Sequence, residues 1–185
     1  MTLKNWNLSN LNLKSIENNW QENIIPLAGQ IEDWEKYDFD LSSEESLLHF
    51  NGNLYVEISS FTVPNPFTIK SYLYLDSINL NSDRQWLVKD GGNSTGFRSY
   101  INSDNNLVFT VNGNDLVSKV PLTPERWYYV VLIFTGSEME IYINNILENS
   151  KSQSELTSND SPLYIGYDVF VDTDYFYGYI KDLCI

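Results

Sequence analysis

The spacing of apolar and aromatic residues through the last third of the chain leaves room for few folds. RWYYVVLIF (Arg126 to Phe134) and MEIYINN (Met139 to Asn145) are β-branched and aromatic runs flanking Thr135-Gly136-Ser137. Another run follows the Asn144-Asn145 corner, and the chain closes on YFYGYIKDLCI (Tyr175 to Ile185). Side chains of these types pack on a pleated surface, and turns this short join antiparallel neighbours. An antiparallel β ladder is expected.

The pattern continues upstream. LLHFNGNLYVEI (Leu47 to Ile58) reads as two short strands around an Asn51-Gly52-Asn53 hairpin turn. In FTIKSYLYL, Phe67, Ile69, Leu73 and Leu75 alternate with Thr68, Lys70, Tyr72 and Tyr74, so one face is apolar and the other is not. RQWLVKD, FRSYIN, LVFTVNG and DLVSKVPL then follow at intervals of about 8–12 residues with turn residues between them, the spacing of a β-sandwich. Residues 1–45 are polar and Asn-rich, with Trp6, Trp20 and Trp34 scattered, and read as an irregular lead-in with one or two edge strands. The whole chain, 1–185, is expected to form a single domain whose clear pattern occupies 46–185.

Charge narrows the partners. Lys and Arg number 11 against 25 Asp and Glu, a formal charge of −14 without a basic cluster, which disfavours nucleic acid and anionic lipid surfaces. No basic start leads into a continuous apolar stretch, so neither a secretory signal nor a membrane-spanning helix is expected. Localisation stays open, with an extracellular or cell-surface setting expected if the chain is a module of a larger protein. Cys184, the single cysteine, has no partner for an intramolecular disulfide. Asn7, Asn93 and Asn159 begin glycosylation sequons, which so Asn- and Ser-rich a chain produces by chance.

Several of these motifs occur in a familiar order. The Phe-x-Gly step in FNGNLYVEI, the FTIKSYLYL strand, RWYYVVLIF, MEIYINN and the closing aromatic-Gly-aromatic-Ile strand together resemble the laminin-G-like (pentraxin-type) branch of the concanavalin A-like lectin/glucanase superfamily. Asn145 stands where that family usually has Gly, and Lys181 separates Ile180 from Asp182. The resemblance implies an all-β, two-sheet antiparallel jelly roll. It also implies a structural Ca²⁺ held between the Gly52 carbonyl and Asp182.

The residues themselves offer little catalytic chemistry. Glu138-Met139-Glu140 and Glu32-Asp33-Trp34-Glu35 are the nearest approach to paired glycosidase carboxylates, and neither has the Glu-x-Asp-x-x-Glu arrangement. His49 is the only imidazole and reads as structural; with one His and one Cys, no zinc cage or nucleophile dyad is supported. KDGGNSTG lacks the ending of a phosphate loop and reads as a hairpin. Asp168, Asp172 and Asp174 share one inter-strand loop, either a solvated acidic loop or a calcium-assisted ligand loop.

Binding is the expectation. Period-2 reading puts Tyr72 and Tyr74 on the face opposite Phe67, Ile69 and Leu73, and Arg98 and Tyr100 on the face opposite Phe97 and Ile101. If these faces coincide, the four residues form a platform to which Asp172 and Asp174 add from a neighbouring loop, with Arg98 an anchor for an anionic sugar. Trp127, Ile141, Ile143 and Leu163 are assigned to the core. The chain is thus expected to be a non-catalytic, carbohydrate-binding module. The alternatives are a protein-interaction or adhesion module and a divergent glycoside hydrolase, and the sequence does not set the oligomeric state.

Overall fold

The computed structural model describes residues 12–15, 47–59, 61–76, 82–92, 95–170 and 174–185, and these contain strands and no helix. The strands are β1 (Asn12–Ser15), β2 (Leu47–Asn51), β3 (Leu54–Ile58), β4 (Phe67–Leu75), β5 (Arg84–Asp90), β6 (Gly96–Ile101) and β7 (Asn106–Val111). They continue as β8 (Asn114–Pro121), β9 (Trp127–Phe134), β10 (Glu138–Ile143), β11 (Ile146–Ser152), β12 (Leu163–Ile165) and β13 (Tyr177–Cys184). Two antiparallel sheets result, one of seven strands in the order β1-β3-β12-β5-β6-β7-β8 and one of six in the order β11-β10-β9-β4-β13-β2. This is the expected jelly-roll sandwich. Of the lead-in, the structure describes only β1, which pairs with β3 at a sheet edge; Trp6, Trp20 and Trp34 lie outside the described residues.

The core forms where the alternating apolar positions of the two sheets meet. Phe67 and Phe134 from the six-stranded sheet pack against each other, and Phe67 also meets Phe97 and Phe109 of the seven-stranded sheet at centroid distances of 4.9 and 6.1 Å. Trp86 is fully buried, and its indole N–H donates to Ser99 Oγ at 2.9 Å, which in turn donates to the Val108 carbonyl at 2.7 Å. A buried polar atom left unpaired is destabilising, so Ser99 belongs with the indole as a unit. Ile141, Ile143 and Leu163 lie in this core as expected.

Two local expectations need correction. Asn51-Gly52-Asn53 does not close a hairpin, because β2 pairs with β13 while β3 pairs with β1 and β12, so the turn carries the chain from one sheet to the other. Trp127 is not a core residue. On β9 the buried positions are Val130, Leu132 and Phe134, and Trp127 has the opposite parity, facing outward beside Tyr74. The Asn144-Asn145 corner does adopt the left-handed turn, with φ of 51° and 65°.

The closing motif has a steric reason. Gly178 has φ of 139°, and a Cβ there would lie 1.9 Å from the Tyr74 carbonyl oxygen, so only glycine lets β13 approach β4 this closely.

Candidate functional site

The structure divides the expected platform in two. Tyr72 and Tyr74 lie on β4 in the six-stranded sheet, and Arg98 and Tyr100 lie on β6 in the seven-stranded sheet. Each pair points away from the core, so the pairs occupy opposite outer surfaces of the sandwich and cannot share one ligand. Period 2 gives the face of a strand but not which sheet the strand joins.

The Gly52–Asp182 pair also separates. Asn51 pairs with Tyr177 and Leu47 with Lys181, so Gly52 lies beyond one end of the β2–β13 ladder and Asp182 beyond the other. At ~3.3 Å per residue the two are roughly 15–20 Å apart, whereas Ca²⁺ holds its oxygens at about 2.3–2.6 Å. No single ion bridges them. Asp182 instead takes φ of 53° where the β13 register shifts. Among the described residues no three His, Cys, Asp or Glu side chains form a metal-holding group.

The richer polar face is the outer side of the seven-stranded sheet, where Asp115 is exposed and Arg98 partly so, while Val88, Val108, Thr110, Gln85 and Tyr100 are buried. Cross-strand register places Glu57, Tyr164, Val88, Arg98, Thr110 and Asp115 in one row over six strands. At ~4.8 Å between strands the row is about 24 Å long. Beside it, Gln85 pairs with Tyr100 and Tyr100 with Val108. Arg98 is the centre. Its guanidinium carbon lies 5.5 Å from the Tyr100 ring centroid, and its Nη1 is 3.9 Å from Asp168 Oδ2. Thr110 Oγ1 donates to Asp115 Oδ1 at 2.5 Å, and the Tyr100 hydroxyl donates to Asp115 Oδ2 at 3.3 Å.

Burial sets the protonation of this surface. It raises the carboxyls of Asp83 and Asp168 above the ordinary range, against the lowering influence of Arg98 on both and of the Phe170 amide on Asp168. Burial also raises the Tyr100 phenol strongly, helped by Asp115 and Asp83, so it stays a neutral donor. On this face, among the described residues, the buried Arg98 Nε, a donor, and Gln85 Oε1, an acceptor, have no hydrogen-bond partner.

At the β12 side stands a wall of tyrosines. Tyr55 packs on Tyr164 and Tyr167 at centroid distances of 6.2 and 5.1 Å, and Tyr167 stacks on Tyr175 at 4.6 Å. Of the acidic loop, Asp168 reaches Arg98, Asp174 is buried, and Asp172 lies outside the described residues. Sequence reasoning missed Asp83, Gln85, Thr110, Asp115 and Tyr164. The hairpin signal Asn112-Gly113 could have found two of them, because it fixes the β7–β8 register that sets Thr110 opposite Asp115.

The other outer face is aromatic. His49, Tyr179, Tyr74 and Trp127 follow one another in register across β2, β13, β4 and β9. His49 stacks on Tyr179 at 4.3 Å and stands 3.6 Å from Asp76; Tyr72 packs on Tyr129 in the next row. Glu138 and Glu140 are on this sheet, with Glu140 accepting the Tyr142 hydroxyl at 2.9 Å.

Residues 50–185 match the laminin G family of the concanavalin A-like lectin/glucanases superfamily. No curated protein matches the chain in sequence. Among solved structures, a heptameric SAP-like pentraxin from Limulus polyphemus is 15% identical with a TM-score of 0.59, over 75% of this chain and 74% of that one. Domains LG4-5 of the mouse laminin alpha1 chain are 13% identical with a TM-score of 0.57, over 76% of this chain and 40% of theirs. Domain 4 of an extracellular arabinanase from Geobacillus stearothermophilus, in complex with arabinotriose, is 12% identical with a TM-score of 0.52, over 72% of this chain and 66% of that one. The chain therefore spans three quarters of the pentraxin but well under half of the laminin fragment.

Proposed function

Because the chain belongs to the concanavalin A-like lectin/glucanases superfamily, and is there a binding-module fold, we propose that it binds glycan without cleaving it, on the outer face of the seven-stranded sheet. The observation that carries this is the pairing of an unmet donor, Arg98 Nε, and an unmet acceptor, Gln85 Oε1, on one face bordered by tyrosine rings. Sugar hydroxyls both donate and accept, and sugar rings stack on flat aromatic surfaces, so such a face suits a polyol. A related fold crystallised with arabinotriose supports the same reading. Extracellular or cell-surface glycan is the expected setting.

Catalysis is not part of the proposal. On the Arg98 face Asp115 is held by Thr110 and Tyr100 and Asp168 by the Phe170 amide, as anchored acceptors rather than as a facing acid and nucleophile. A glycan array tests the reading: the wild type should bind at least one oligosaccharide that Arg98→Ala does not. Equal array profiles for the two proteins would reject this face as the site.

A second reading has its own observation. The ring row of the six-stranded sheet favours a protein partner, because Tyr and Trp supply large contact area with few rotamers to freeze. A partner that lost affinity on Tyr74→Ala and not on Arg98→Ala would support it.

A further inference from the structure

The charge balance around Arg98 is the reverse of an anionic-sugar site. One guanidinium faces Asp168 at 3.9 Å, and Asp83 is also within its electrostatic reach. Asp115 acts on Asp83, and Asp90 acts on Asp168, so among the described residues carboxylates outnumber the cations Arg98 and Lys151 on this face. Lys151 reaches this edge but donates to the Asp115 main-chain carbonyl, at 3.2 Å, and leaves the carboxylate to Thr110 and Tyr100. An added carboxylate would meet a field already dominated by its own sign.

An acidic surface alone identifies nothing, and the second observation is Gln85. It is 2% exposed, lies on the same face in register with Tyr100, and its Oε1 has no hydrogen-bond partner. A buried carbonyl in that state is satisfied only by a donor. The carboxylates do not converge as metal ligands do. Asp115 lies two strands from Arg98 along the row, about 10 Å at ~4.8 Å per strand, while Asp168 approaches the guanidinium itself. Acceptors spread along a face fit several separate cationic groups better than one ion.

Resting on the glycan reading above, we infer that this face is selective for amino sugars, that is, oligosaccharides whose residues carry free ammonium groups rather than acetamido or carboxylate groups. Ammonium donates three hydrogen bonds and accepts none, which suits Asp115 and Gln85 Oε1, while the remaining hydroxyls engage Arg98 Nε. The tyrosine wall of Tyr164 and its neighbours offers ring faces that attract cations as well as sugar rings.

The test is calorimetric titration of the full chain with four probes of equal length: oligoglucosamine, its fully N-acetylated form, an oligouronate and oligolysine. Oligoglucosamine should bind about tenfold more tightly than the acetylated form, the ratio expected for one charge-assisted hydrogen bond. The oligouronate should not bind, and added salt should weaken the amine complex selectively. Asp115→Asn, and separately Asp168→Asn, should bring the amine and acetamido affinities together. If the acetylated sugar binds as tightly as the amine, glycan binding stands and the selectivity is wrong. If oligolysine matches oligoglucosamine, the face is a general cation surface and the inference fails. If no sugar binds, this inference and the glycan reading fall together.

Discussion

Arg98 and Asp168 face each other at 3.9 Å with opposite accessibility, the guanidinium side chain 32% exposed and the carboxylate 2%. The buried partner is anchored by the Phe170 amide, which donates to Asp168 Oδ1 at 2.9 Å. The guanidinium side chain keeps the access to solvent that its partner lacks.

The burial of Asp168 gives a pH dependence. Its carboxyl, like that of Asp83, is raised above the ordinary carboxylate range, burial being the first cause. In the folded state each therefore takes up a proton at a pH where the unfolded chain does not, and stability increases as pH falls toward the ordinary carboxylate value, then levels off. Mild acidification from neutrality should raise the melting temperature of the wild type relative to an Asp83→Asn/Asp168→Asn double variant. Parallel melting curves across that range would show that neither carboxyl is perturbed.

Trp127 and Phe109 should separate core from surface. Phe109 is fully buried between the sheets, and Phe109→Ala should destabilise by about 3–5 kcal/mol. Trp127→Ala removes a half-buried ring from the outer face and should cost less than half as much, in denaturant melts of both variants.

That contrast shows how far the sequence could be read. Alternation along FTIKSYLYL puts Phe67, Ile69, Leu73 and Leu75 on the buried side of β4 and Thr68, Lys70, Tyr72 and Tyr74 on the other, as the structure has them, because side-chain direction in a strand has a strict period of 2. Trp127 was misassigned at the start of β9, where Trp127, Tyr128 and Tyr129 are all half-buried and period 2 offers no contrast. The pairing of Tyr72 with Tyr100 failed for a different reason. Which sheet a strand joins depends on long-range partners, β4 with β9 and β13, β6 with β5 and β7, and nothing local to either strand encodes it. The Gly52–Asp182 ion failed through register, since the two residues flank the same ladder at opposite ends.

Gly178 supplies a steric test. Gly178→Ala would place a methyl against the Tyr74 carbonyl and force an L-residue to positive φ, so a loss of more than about 1 kcal/mol is expected. A loss near zero in a denaturant melt would mean that β13 does not approach β4 as described.

Lys89 and Asn159 make a further prediction. Lys89 is 1% exposed, and its ammonium donates to the Asn159 carbonyl at 3.0 Å, to Asn159 Oδ1 at 3.1 Å and to the Ser161 carbonyl. The Asn159 amide donates back to the Lys89 carbonyl at 3.2 Å. Asn159→Ala should destabilise by about 1–3 kcal/mol by removing the Oδ1 acceptor from a buried charge and the amide donor from the Lys89 carbonyl. For the same reason, Asn159 should stay unmodified in protein secreted by a glycosylating host, and peptide mapping that found a glycan there would contradict the fold of this loop.

The most direct measurement of the central claim is amide chemical-shift mapping of the isotopically labelled chain titrated with an oligosaccharide selected from the glycan array. The account predicts perturbations that concentrate on the row Tyr164, Val88, Arg98, Thr110 and Asp115 and on Gln85 and Tyr100 beside it. Perturbations confined to His49, Tyr179, Tyr74 and Trp127 on the opposite sheet would contradict it.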